Sequence, residues 1–214
     1  MTGGILPSLY GLTDPRGERN LSARDAVELL VRGGIRLVQV REKRGPDRQR
    51  LEAAREAVAL GHRLGATVVV NDRADLALLS LADGVHLGED DLPDTPVRRL
   101  LGPRPLIGVS THAVAAARLA MTGAASYVAL GPIFETRSKS SVFAPLGIDA
   151  IAAAAIGKTK PLVVIGGIRP EDVGACLAAG ADSVAMIAGL LDGDVERNVA
   201  AALSSAARAG VEIS

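Results

Sequence analysis

Polar and charged side chains in this chain fall in short clusters, each closing an apolar run. Gln39-Val40-Arg41-Glu42-Lys43 closes one run, Asn71-Asp72-Arg73 another, His86-Leu87-Gly88-Glu89-Asp90-Asp91 a third and Ser110-Thr111-His112 a fourth. Gly131-Pro132-Ile133-Phe134-Glu135-Thr136-Arg137-Ser138-Lys139 is the longest, and Gly166-Gly167 and Ile187-Ala188-Gly189 close two more. These residue types suit phosphate chemistry. Arg41, Lys43 and Lys139 supply positive charge, while Asp72 and Asp91 supply oxygen ligands that could share one hard cation. Mg²⁺ is usually held by one or two carboxylates, with substrate phosphate oxygens completing its shell. Without a substrate, such carboxylates would pair with the neighbouring Lys and Arg. The competing reading makes Asp72 and Asp91 caps of the helices that follow.

The glycines carry a separate expectation. Gly166-Gly167 lets backbone N–H groups approach an anion, and a short helix beginning after Ile187 would add its dipole. Together they predict a second ligand bearing a monophosphate; otherwise they are plain turns. His86 reads as a structural hydrogen-bonder and His62 as a surface residue of an amphipathic helix. His112 stays open between the site and a loop. Cys176, the single cysteine, lies in a helical stretch and reads as a packed thiol. Gly157-Lys158-Thr159 imitates the end of a P-loop, but Ala152 replaces the required first glycine and Pro161 follows where a helix should start.

The elements that would hold these clusters are legible as a repeat. Apolar runs rich in β-branched residues span Leu9–Thr13, Arg36–Arg41, Thr67–Asn71, Gly84–Leu87, Leu106–Val109, Tyr127–Gly131, Leu162–Gly166 and Ser183–Ile187. Amphipathic or alanine-rich segments separate them. Between Ser22 and Gly34, residues Ala23, Ala26, Val27, Leu30 and Val31 share one helical face, with Ser22 as N-cap and Gly33-Gly34 as the stop. Gly34, Gly65, Gly123 and Gly180 each open a tight turn into a strand, where a left-handed residue is expected. Strictly alternating strands and helices without a linker predict a single-domain α/β fold, a (β/α)8 TIM barrel over residues 1–214. An open doubly wound sheet would place a glycine-rich fingerprint after the first strand, where Leu12-Thr13-Asp14-Pro15 stands. In such a barrel, chemistry sits at the C-terminal strand ends. The N-terminal strand ends are expected to hold no comparable polar set, and that asymmetry predicts an enzyme.

Composition narrows the partners. The 214 residues carry 24 Lys plus Arg against 24 Asp plus Glu, so no general affinity for nucleic acid or anionic membrane is expected. Aromatics are 2%, which leaves only Tyr10, Tyr127, Phe134 and Phe143 for base stacking and a core of Ala, Val, Leu and Ile. The start of the chain does not read as a signal peptide, and no apolar stretch is long enough to span a bilayer. One cysteine and these absences point to a cytoplasmic protein.

The motifs from Gln39 to Lys43, Val70-Asn71-Asp72-Arg73, Asp83 to Gly88, Gly108 to His112, Gly131 to Lys139 and Gly166-Gly167-Ile168 stand in the order and spacing of one family. The chain resembles the thiamine-phosphate synthases along nearly its full length. That resemblance implies a Mg²⁺-dependent transferase acting on small phosphorylated substrates. Such enzymes join a hydroxymethylpyrimidine diphosphate to a thiazole phosphate and release diphosphate. It further implies that Gln39, Val40, Arg41, Glu42, Lys43, Asn71, Ser110 and Lys139 hold the pyrimidine diphosphate, with Arg41, Lys43, Ser110 and Lys139 catalytic. Asp72 and Asp91 would bind Mg²⁺. Thr136, Arg137, Ser138, Gly167, Ile187 and Ala188 would hold the thiazole phosphate, and the Ser138–Leu146 stretch would close over the site. The chain departs from the family's usual residues at Glu89, Asp90, Glu135, Ser138 and Ala188. Glu135 also fits the related thiazole tautomerases, which typically lack the two metal-binding aspartates. A tautomerase-like isomerase and a non-catalytic binder of thiazole or thiamine phosphate remain alternatives at this stage, as does assembly into a homo-oligomer.

Overall fold

The structure, a computed structural model, describes residues 6–14, 20–136 and 143–210. Eight parallel strands close into a barrel in sequence order. They are β1 (Leu9–Leu12), β2 (Leu37–Val40), β3 (Thr67–Asn71), β4 (Gly84–Leu87), β5 (Leu106–Thr111), β6 (Tyr127–Leu130), β7 (Leu162–Ile165) and β8 (Ser183–Met186). The last strand pairs with the first through Leu9 with Val184 and Gly11 with Met186. Each expected run is a strand, trimmed by a residue or so at its ends, and β5 reaches Thr111 rather than Val109.

Helix α1 (Ala23–Gly33) shows how local sequence sets an element. The Ser22 side chain accepts from the Asp25 N–H at 3.1 Å, and Gly34 ends the helix at φ 115°. Its buried face is Ala23, Ala26, Val27, Leu30 and Val31. Truncating a fully buried Leu30 to Ala would cost about 2–5 kcal/mol. Gly65 and Gly180 also take positive φ, but Gly123 does not. A Cβ at Gly123 would run into the Asp94 carboxylate, which receives the Ala124 and Ala125 N–H groups at 2.6 and 2.9 Å. That glycine is selected by close approach, not by handedness.

Strand alternation divides the core into two shells. Inside the barrel lie Tyr10, Leu12, Leu37, Val69, Tyr127, Ala129, Val163 and Ala185. Outside, between strands and helices, lie Val38, Val40, Val68, Val128, Val164 and Val184 with their helical partners. Cys176 is buried in this outer shell. Burial pushes its thiol up to about 11, with the Asp172 charge adding to the shift.

The N-terminal strand ends correct one expectation, because they hold a polar set of their own. Asp83 precedes β4, Ser126 precedes β6 and Asp182 precedes β8. Each donates its backbone N–H to a carbonyl of the preceding strand: Asp83 to Val68 at 2.8 Å, Ser126 to Ile107 at 2.6 Å, Asp182 to Leu162 at 2.8 Å. Each side chain then accepts the N–H of that same residue, at 2.7, 3.0 and 2.7 Å. His62, Arg98 and Lys158 complete these acceptors from the helical layer at 2.9, 2.9 and 2.6 Å. Lys158 of the false P-loop is therefore tied into the scaffold. Among the described residues, no helix is long and apolar enough to cross a membrane.

Candidate active site

At the opposite end, the strand termini surround a cavity of about 890 Å³. Of the segment from Gln39 to Lys43, Gln39 and Arg41 reach its wall. Alternation turns Val40 outward into the helical shell, so only its backbone faces the barrel mouth. Glu42 also misses the cavity, because its carboxylate accepts the Arg44 N–H at 2.8 Å and pairs with the Arg44 side chain at 3.6 Å. Arg41 is buried and meets Asp14 at 3.0 Å. Asp14 lines the cavity as well. The sequence reading passed over it, although it follows β1 almost as Asp72 follows β3.

Asp72 takes φ 63°, a left-handed conformation that costs a non-glycine residue about 1–3 kcal/mol. That backbone turns its carboxylate to the cavity, where Lys43 meets it at 2.8 Å. Asp91 accepts the Gly88 N–H at 2.7 Å and lies against the Asp72 carboxylate. Burial raises the pKa of Asp91, the Gly88 N–H opposes that rise, and the Asp72 charge adds to it. Neither aspartate caps a helix. α3 (Ala74–Leu79) and α4 (Asp94–Leu101) begin after Arg73 and Pro93, without a side-chain cap bond.

Two carboxyls in contact beside a lysine have the donor set a hard divalent ion needs. The described residues hold no group of three or more His, Cys, Asp or Glu that could bind a metal. An ion here would thus draw its remaining ligands from water and a phosphorylated substrate, which fits Mg²⁺. Arg73, by contrast, turns away to Asp47 and Asp75 at 2.7 and 2.6 Å.

Asn71 and Ser110 line the cavity as expected. His86 is the structural hydrogen-bonder anticipated, between Tyr127 at 3.0 Å and Ser110 at 2.9 Å. His112 belongs to the wall. Its Nδ1 donates to the Gly131 carbonyl at 2.6 Å, and its ring stacks on Phe143 with centroids 3.9 Å apart.

Across the cavity stand Thr136, Gly167, Ile187 and Ala188, with Glu135 beside them. Gly166 and Gly167 take φ 102° and 67°, and side chains there would strike Pro132 and the Phe134–Glu135 backbone. Their small size therefore serves packing as well as any anion. A short helix, α8 (Ala188–Leu191), starts directly beyond β8, and its first residues, Ala188 and Gly189, line this wall. Arg169, also on the wall, was not anticipated; it simply follows the glycine pair. Arg137, Ser138 and Lys139 lie outside the described residues, as does the 138–142 part of the expected closing segment. Its remainder is anchored through the Leu146 N–H to the Pro132 carbonyl at 2.9 Å.

Comparison with known proteins gives a family and a matching fold. Residues 9–190 match a family model described as thiamine monophosphate synthase. A thiamine-phosphate synthase of Anaeromyxobacter dehalogenans is 46% identical over 180 residues, covering 84% of this chain and 81% of that one. One from Chloroflexus aurantiacus is 40% identical over 186 residues, covering 87% and 86%. Among solved structures, thiamine phosphate pyrophosphorylase from Pyrococcus furiosus superposes with a TM-score of 0.85 at 27% identity, covering 94% and 96% of the two chains.

Proposed function

The chain belongs to the thiamine monophosphate synthase family, and from that premise we propose that its barrel mouth is a Mg²⁺-dependent transferase site. It joins the pyrimidinylmethyl group of a hydroxymethylpyrimidine diphosphate to a thiazole phosphate, forming thiamine phosphate and releasing diphosphate. The single observation that carries the metal-dependent reading is the contact of Asp91 and Lys43 with Asp72, the member of the group that lines the cavity. Two acids held together within reach of a base favour a ligand that brings both negative phosphate and a divalent ion. Retention of both aspartates also supports synthase over tautomerase chemistry, even with Glu135 on the wall.

When bound, Mg²⁺ would neutralise charge that builds on the departing diphosphate. Arg41 and Lys43 act in the same sense and gain most once the CH₂–O bond has lengthened, which is where catalysis requires the stronger interaction. Lys139 and the backbone of Val40 and Glu42 join them in holding the diphosphate. Asn71, Gln39 and Ser110 orient the pyrimidine. Thr136, Arg137, Ser138, Gly167, Ile187 and Ala188 hold the thiazole phosphate, so that the ring nitrogen meets the pyrimidine carbon as diphosphate leaves. No protein nucleophile is required. A walled cavity limits the water that would otherwise capture the pyrimidinylmethyl cation formed as the CH₂–O bond breaks and the diphosphate takes its electron pair.

The test is diphosphate release in a coupled assay. Release is expected only with both substrates and Mg²⁺, and Asp72→Asn should lower kcat/KM by about 10²–10³-fold. Turnover that survives EDTA would remove the metal from the reaction.

A further inference from the structure

Beneath the cavity, five side chains form one unbroken line of hydrogen bonds. Gln39 Nε2 lies 2.8 Å from the Tyr10 hydroxyl, which lies 3.0 Å from that of Tyr127. Tyr127 is 3.0 Å from His86 Nδ1, and His86 Nε2 is 2.9 Å from Ser110 Oγ. The members come from β1, β2, β4, β5 and β6, so the line crosses the barrel interior. Gly108 of β5 makes room for it: a Cβ there would collide with the Tyr127 ring and the His86 imidazole. We propose that Tyr127 is a positioning residue that fixes the proton direction along this line, so that Gln39 offers the ligand an acceptor and Ser110 offers it a donor.

The direction follows link by link. An amide N–H can only donate, so the Tyr10 oxygen accepts from Gln39. Its own proton is then given to the Tyr127 oxygen, and the Tyr127 proton to His86 Nδ1. His86 must carry its proton on Nε2, which donates to Ser110 Oγ. At the two ends, Gln39 keeps its Oε1 as acceptor and Ser110 keeps its hydroxyl proton as donor; both residues line the cavity. An imidazolium would put a second proton opposite the Tyr127 hydroxyl, and reversing both phenols would aim the Tyr10 proton at the Gln39 amide hydrogens. Either leaves a donor facing a donor at residues 1% and 0% exposed, where water cannot relieve it. The phenols keep their protons. Burial pushes Tyr10 up to about 12, and Tyr127 is raised well above its ordinary value.

The ligand consequence rests on the transferase reading: an exocyclic amino group on the pyrimidine would meet Gln39 Oε1. The proton direction itself can be tested without substrate. Histidine labelled with ¹⁵N in the ligand-free protein should show His86 as the neutral Nε2–H tautomer at neutral pH. An Nδ1–H tautomer or an imidazolium would overturn the proposal whatever the enzyme's activity. In Tyr127→Phe, His86 should lose its single tautomer, and KM for the pyrimidine diphosphate should rise about tenfold, with KM for the thiazole phosphate changed less than about twofold. Equal change in both KM values would reduce Tyr127 to a packing residue. Tyr10→Phe, one link further away, should move KM the same way and less, and an unchanged His86 signal in both variants would likewise sink the idea.

Discussion

The two ends of the barrel carry similar residue types and use them in opposite ways. At the N-terminal end, Asp83, Ser126 and Asp182 each trade two hydrogen bonds with the preceding strand and take a further partner from a helix or, for Asp182, from the loop after one. These three side chains are tied to strand N–H groups and to a donor from the surrounding layer. At the C-terminal end, Asp72 and Asp91 press together and Asp72 sits in a left-handed conformation. Polarity alone does not tell scaffold from site. What each acid is set against does: strand N–H groups at one end, a second acid and a lysine at the other.

Three substitutions or probes test that contrast, from the largest effect to the smallest. Asp91→Asn at the mouth should cut activity about 10²–10³-fold and yet raise Tm, because it relieves a like-charge contact while the amide oxygen still receives the Gly88 N–H. Thermal melting beside the diphosphate assay decides it, and a lower Tm would mean the acid pair is scaffold after all. Asp182→Ala at the other end should cost about 2 kcal/mol, chiefly for the Leu162 N–H left unmatched. That is a Tm lower by about 4–8 °C, with kcat of the folded protein unchanged. Loss of kcat at low temperature would mean the two ends are coupled. Cys176 should change nothing. With its thiol pushed up to about 11 it stays protonated at pH 8, so a thiol reagent should label the native protein no faster than global unfolding allows.

All eight strands could be read from the sequence, because alternating apolar runs and glycine-marked turns are local signals. So could the site residues that end a strand, such as Arg41, Asn71, Asp72 and Ser110. Others were out of reach for a physical reason. The Asp14–Arg41 pair and the Tyr10–Tyr127 bond join residues 27 and 117 positions apart; pairing of β1 with β2 makes the first two neighbours, and closure of the barrel the second two. Val40 and Glu42 were read as part of a continuous segment, whereas strand alternation and a local bond to Arg44 direct their side chains elsewhere. At the far end the signal was present but disguised. Asp83, Ser126 and Asp182 precede alternate strands at the same position, yet single Asp and Ser residues look like ordinary turn formers.

The pairing of Leu9 with Val184 makes the barrel a ring whose clasp is its first and last staves. During synthesis the Leu9–Leu12 stave emerges early and must wait, one edge bare, until Ser183–Met186 has been made. Contacts so distant along the chain slow folding and expose unpaired backbone meanwhile. A ribosome stalled before the eighth stave would hold every acid and base of the pyrimidine side, but no closed ring to bring them together.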